Sequence, residues 1–167
     1  MLRAALPLAS ISLALSAPAA TSDAASTKSL TIRVVVQPLT RLVHDVPPKT
    51  LNLGMYSKGD TITGTSILRN YAPQFGKPKG ARVGTSHGVT TALSAKTAKS
   101  DAVARFPGGT VHARGEGPIG PTISVPVVGG TGAYAGATGV VEGSHLTRSH
   151  RDEADSASLA EVRGHAD

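Results

Sequence analysis

The 167-residue chain contains no cysteine and no tryptophan, and only three tyrosines and two phenylalanines. Without thiols it can have no disulfide framework, no thiolate zinc site and no cysteine nucleophile. With so few aromatics, a core has to be assembled from Val, Ile, Leu and Ala. Nucleic-acid bases would find almost nothing to stack on, and no nucleic-acid module is recognisable, so that class of partner is set aside. Six histidines without a tight H-x-H spacing give no metal-ligand pattern, and neither a metal nor a cofactor is expected. Also missing is an unbroken apolar run of about 20 residues, the length a membrane-spanning helix needs. The N-terminal apolar stretch is interrupted by Ser10, Ser12, Ser16 and Pro18.

That stretch reads instead as a secretory leader. Arg3 supplies a positive start, residues 4–15 an apolar segment, and Ala17-Pro18-Ala19 an A-x-A cleavage site, with Ala25 as an alternative end. The expectation is a leader over 1–25, a single domain over 26–167 with its core at about 30–163, and an extracellular protein. Nineteen glycines and eleven prolines favour many short strands and turns over a helical bundle. The formal charge of +6 is compatible with an anionic envelope surface, through basic residues such as Lys77, Lys79 and Arg82. The competing reading is a solvated, solubilising surface.

Along the chain, Leu30, Ile32, Val34 and Val36 alternate with Thr31, Arg33, Val35 and Gln37, the pattern of a half-buried strand. Pro38 is expected to end its regular pairing, and a second short stretch over 41–46 stops at Pro47-Pro48. Further strands are expected over about 60–70, 81–93, 102–106, 110–116, 122–128, 138–147 and 157–163. Residues 94–100 read as a connector, 149–156 as a charged turn and 164–167 as a tail. The hairpin through Pro107-Gly108-Gly109 is the clearest of these signals. Seven to nine strands without a convincing helix indicate a barrel or a sandwich.

The most informative segment is 126–141, PVVGGTGAYAGATGVV. It superficially resembles a phosphate-cradling fingerprint, but such a loop must open a helix. Here Gly136, Gly139 and the Val140-Val141 pair follow with no 3.6-residue apolar stripe, so a tight all-β turn is the better reading. Extended to Gly143, the segment resembles the Gly-Gly-(Thr/Ser)-Gly-aromatic motif of the allene oxide cyclase and dirigent proteins. Other residues carry the same resemblance: Gly59-Asp60 with Thr61-Ile62-Thr63 and Leu68, the run from Arg82 to Gly88, Phe106-Pro107-Gly108-Gly109, and Val43-His44-Asp45 against the dirigent HD dipeptide. The similarity is loose over about 30–163 and close over 126–141. It implies an all-β fold, a small closed antiparallel barrel of about eight strands, with a small hydrophobic ligand and function at the mouth. It also implies dimers or trimers formed through an outer barrel face. Arg33 and Gln37 stand nearest the glutamate of allene oxide cyclases, Ser66 where they have an asparagine and Thr90 near their cysteine. These departures argue against cyclisation of a fatty-acid epoxide.

Three side chains are candidates for catalysis. Asp45 matches the dirigent HD motif by position, and the resemblance implies assistance to proton movement during radical coupling. A carboxyl against an apolar pocket favours its neutral, proton-donating form. The competing role is a turn cap before Pro47-Pro48. His112 and Arg114 share one strand face with Thr110 and Glu116, opposite Val111, Ala113 and Gly115. Turned inward, that row offers proton transfer and oxyanion stabilisation. Turned outward, it is an ordinary solvent face. Tyr134 is expected to cover the barrel end, its hydroxyl reaching water or the backbone. Two functions stay in play: a secreted barrel that steers coupling or cyclisation of a small hydrophobic molecule, and a non-catalytic ligand-binding or envelope-interaction module.

Overall fold

The computed structural model describes residues 28–50, 55–145 and 158–166. The expected leader over 1–25 and the charged turn over 149–156 lie outside the described residues. Eight strands follow in order: β1 (Lys28–His44), β2 (Thr61–Asn70), β3 (Arg82–Ala92), β4 (Thr97–Phe106), β5 (Gly109–Pro118), β6 (Thr122–Gly132), β7 (Thr138–His145) and β8 (Ser158–Ala166). Each pairs antiparallel with the next, and β8 returns to β1, closing an up-and-down barrel. Closure removes the unpaired edges that an open sheet would present.

Alternation explains which side chains enter. Ile32 and Val34 are almost fully buried, whereas Thr31 and Arg33 at the alternate positions are exposed. The regular pairing of β1 breaks at Pro38, as expected, but the expected second stretch belongs to the same strand, which runs on to His44. Pro38 pairs with Ser66 and Thr40 with Thr65, so Leu39 is the extra residue of a bulge and the ladder then continues to His44. A bulge accommodates the missing proline N–H at the cost of one unpaired residue. It also changes which residues face inward: Pro38 and Arg41 both line the barrel mouth. Two other boundaries move. β4 begins at Thr97, inside the expected connector, because Ala98, Lys99 and Ser100 pair with Ala92, Thr91 and Thr90. β8 runs to Ala166 because the first residues of β1 supply partners, Lys28 opposite Ala166 and Ser29 opposite His165.

One end of the barrel is closed by aromatics. Phe106 stacks on Phe75 at 5.9 Å and meets Tyr134 edge-on at 6.1 Å, geometries that add about 0.5–1.5 kcal/mol per pair beyond simple burial. The Tyr134 hydroxyl donates to the Pro107 carbonyl at 3.0 Å, so this residue covers the barrel end with a backbone partner. The glycine-dense segment makes that placement possible. Gly132 has φ +61°, and a Cβ there would collide with the Gly108 carbonyl, so only glycine lets β6 leave the sheet at this point. Ile32, Leu68, Val83 and Val162 complete the packed floor.

The β5–β6 ladder is unusual. It stops at Ala113–Val127, with Val128 bulged outward. The strands themselves continue to Pro118 and from Thr122. Pro126 has no N–H to give, and its ring fills the space beside Gly115, where a Cβ would sit 2.6 Å from the proline Cδ. Toward the mouth these two strands therefore lie side by side as an unbonded seam.

Candidate functional site

The hollow above the aromatic floor exists because three neighbouring strands point small side chains inward. Ser86 and Thr90 from β3, Ser100, Ala102 and Ala104 from β4, and Ala113 from β5 all line it. An eight-stranded barrel has an interior just wide enough to be filled by ordinary side chains, so small residues on one side leave room. The opposite wall is aliphatic, with Val34, Val36, Val125, Val141 and Val162. This deep chamber measures about 250 Å³. Among the described residues that line it none ionises, and their polar side chains are hydroxyls, with Thr90 and Ser100 sharing a hydrogen bond of 3.2 Å.

Toward the mouth the hollow widens into a second cavity of about 460 Å³, with Thr90, Ser100, Ile123 and Val125 common to both. Arg41, Tyr56 and Asp60 line it, together with Gly115, Gly117 and Pro118 of the unbonded seam. Asp60 is almost completely buried. One carboxylate oxygen accepts the Val46 N–H at 2.9 Å and the other the Ser57 N–H at 2.7 Å. Its backbone bonds to Ala92 in addition. Asp60 is therefore the clamp that fixes the segment between β1 and β2 across the mouth. The sequence marked Gly59-Asp60 only as a motif. Its structural signal is an acidic residue directly before a β-branched strand, which does not by itself reveal two backbone donors.

Asp45 lies one residue beyond β1 at this same end and is half-buried. Its Oδ1 is shielded from solvent without a hydrogen-bond partner among the described residues, while the adjacent Val46 is tied to Asp60. Asp45 stands at the rim; it does not line either cavity. His44 is exposed.

The inward reading of the β5 row is corrected. Val111 and Ala113 are buried and line the chamber, so His112, Arg114 and Glu116 point to the outside and are exposed. Period-2 alternation allows only one of the two sets to enter the lumen. Arg114 instead pairs with its cross-strand partner Asp101 on β4 at 2.7 Å, a surface ion pair of small energetic weight. The structure thus does not bring Asp45, His112 and Arg114 together. A second surface network joins Glu142 and Glu161, which face each other across β7 and β8, to Arg163. The hydrogen bond from Arg163 holds the Glu161 carboxyl below its usual range. Among the described residues, no group of three or more His, Asp or Glu is placed to hold a metal ion.

No protein-family model matches the chain, and no curated protein matches it either. Solved structures do. A pyocyanin demethylase superposes with a TM-score of 0.62 at 18% identity, covering 81% of this chain and 99% of its own. The pterocarpan synthase dirigent protein GePTS1 gives 0.66 at 15% identity, over 84% of this chain and 86% of that one. A nonspecific heme-binding cyclase of neoabyssomicin biosynthesis gives 0.57 at 14% identity, over 84% and 68%. The chain has the fold of the dirigent and cyclase-like barrels. At these identities the likeness concerns the fold, and chemistry has to be argued from the lumen.

Proposed function

We propose that this protein is a secreted barrel that takes a small hydrophobic molecule into its lumen and steers the coupling or cyclisation of that molecule. The observation that carries the reading is the deep chamber. It is apolar on one wall, hydroxyl-bearing on the other and, among the described residues, lined by no ionisable group, closed below by Phe106 and open above. Such a chamber acts by confinement, holding a reactive molecule in one conformation so that one product geometry is favoured. Ser86, Thr90 and Ser100 orient oxygen substituents toward β3 and β4, and the aliphatic wall takes the hydrocarbon face. Asp45, with a shielded and unpartnered carboxyl oxygen at the rim, is the proton carrier in this reading. The fold shared with a dirigent protein and a cyclase supports it, and the leader-like residues 1–25 support export.

The test is the product distribution from a panel of phenols and polyenes, with and without the purified protein. Each compound's affinity is measured in parallel by displacement of an apolar fluorescent probe. A shift in regio- or stereochemistry, reduced in Asp45→Asn while probe affinity is kept, is the expected result. Tight probe binding with unchanged products throughout would leave a non-catalytic binding barrel. Absence of binding would remove both readings.

A further inference from the structure

The closed end of the barrel carries a feature that the lumen does not need. The forty residues from Thr61 to Ser100 contain six Lys or Arg and no Asp or Glu. Four of those cations, Arg69, Lys77, Lys79 and Arg82, gather at the β2–β3 turn. Arg69 and Arg82 are direct cross-strand partners, an arrangement of like charges that destabilises a sheet. Elsewhere the protein neutralises such pairings: Glu142 opposite Glu161 is bridged by Arg163, and Arg114 is answered by Asp101. Among the described residues, none of the four cations has a carboxylate partner.

The turn that presents them is also held in shape. The buried Asn70 amide donates to the carbonyls of Gln74, Lys77 and Pro78 at 2.9, 3.0 and 3.2 Å. Gln74 locks onto the Arg33 backbone through both ends of its amide. Arg69 reaches the Gly80 carbonyl, and Lys77 that of Arg82. In the middle sits Tyr71, 37% exposed, with the Arg33 guanidinium 4.9 Å and the Lys79 ammonium 5.9 Å from its ring. In a chain with five aromatic residues, three of which close the floor, an aromatic on the surface among cations has a specific chemical meaning. Tyrosine partitions to the boundary between hydrocarbon and water, and Lys and Arg attract anionic headgroups.

We infer that the face formed by Arg69, Tyr71, Lys77, Lys79 and Arg82 docks the barrel on an anionic bilayer surface through phosphate headgroups. Because this face lies at the closed end, docking leaves the mouth directed away from the membrane and the lumen free to load. The inference stands independently of what the lumen binds.

Co-sedimentation with vesicles of phosphatidylcholine alone, and of phosphatidylcholine mixed with phosphatidylglycerol, tests it. Each cation near an anionic leaflet strengthens attachment about fivefold, so the triple variant Lys77→Gln, Lys79→Gln, Arg82→Gln should lose roughly a hundredfold in affinity. A control variant with the same charge change at the mouth end, Lys49→Gln, Lys58→Gln, Lys96→Gln, should retain binding. Circular dichroism and the thermal midpoint verify that both variants are folded. Binding of the wild type to the anionic vesicles only, released by high salt, is the supporting result. No sedimentation with anionic vesicles at low salt, equal loss in the control variant, or retention on a soluble polyanion without vesicle binding would each overturn the inference.

Discussion

Ala102→Phe tests whether the deep chamber is an empty space awaiting a ligand. Ala102 lines the chamber from β4, and its cross-strand partner is Gly88, so a larger side chain meets a glycine where most barrel positions would meet a Cβ. A phenyl ring lodged in the chamber removes apolar surface of the ring and of the aliphatic wall from water, and about 80 Å² at about 25 cal/mol per Å² stabilises by about 2 kcal/mol. The variant should therefore be as stable as the wild type or up to about 2 kcal/mol more stable, and it should bind an apolar fluorescent probe at least tenfold more weakly. Urea denaturation followed by circular dichroism supplies the first number, and probe titration the second. If the chamber were already collapsed, the ring would overpack it and cost about 1–3 kcal/mol. A destabilisation of that size, or probe affinity unchanged in a stable variant, refutes the reasoning.

Two further predictions concern the ends of the barrel. Tyr134→Phe deletes the hydroxyl that reaches Pro107 and should cost about 1 kcal/mol at neutral pH. Burial raises the Tyr134 phenol above its ordinary value of 10.0. Its contribution to stability is thus complete below that ordinary value and is lost as the pH climbs through the folded one; denaturation midpoints across alkaline pH should fall more steeply for the wild type than for the phenylalanine variant, and parallel curves contradict the assignment. Asp60→Asn replaces one acceptor oxygen by a donor facing a backbone N–H and removes the charge from the other bond. Since hydrogen bonds to charged groups are worth about 1.5–3 kcal/mol each, a loss of about 2–4 kcal/mol is expected, with faster proteolysis between β1 and β2. A change below about 0.5 kcal/mol, the range of ordinary surface substitutions, would show that Asp60 does not clamp the mouth.

The strands were largely legible because alternation is written locally. Leu30 to Val36 shows the period of 2 directly, and the Pro107-Gly108-Gly109 hairpin forms where its turn residues stand. Closure into a barrel was legible only through the resemblance of segments such as 126–141, since alternation reads the same in a barrel and in a sandwich. The candidate site was less legible. The side of a strand that faces the lumen is a parity, and each bulge reverses it. Leu39 brings Arg41 to the mouth beyond a proline that signalled a break in pairing but not which way the next side chains turn. His112 and Arg114 face outward because Val111 and Ala113 claim the interior. Asp60 shows its role only when Val46 and Ser57, fourteen residues before it and three before it, converge on its two oxygens.

The amino-acid order alone determined that this chain builds short strands without disulfides, and that a glycine-only conformation lies between Val127 and Ala137. Both follow from interactions among residues close together along the chain. Tertiary structure decided that the lumen stays hollow and that its lower end is sealed by three aromatics from three different hairpins. These properties arise from contacts between residues dozens of positions apart, whose register is set when β8 meets β1.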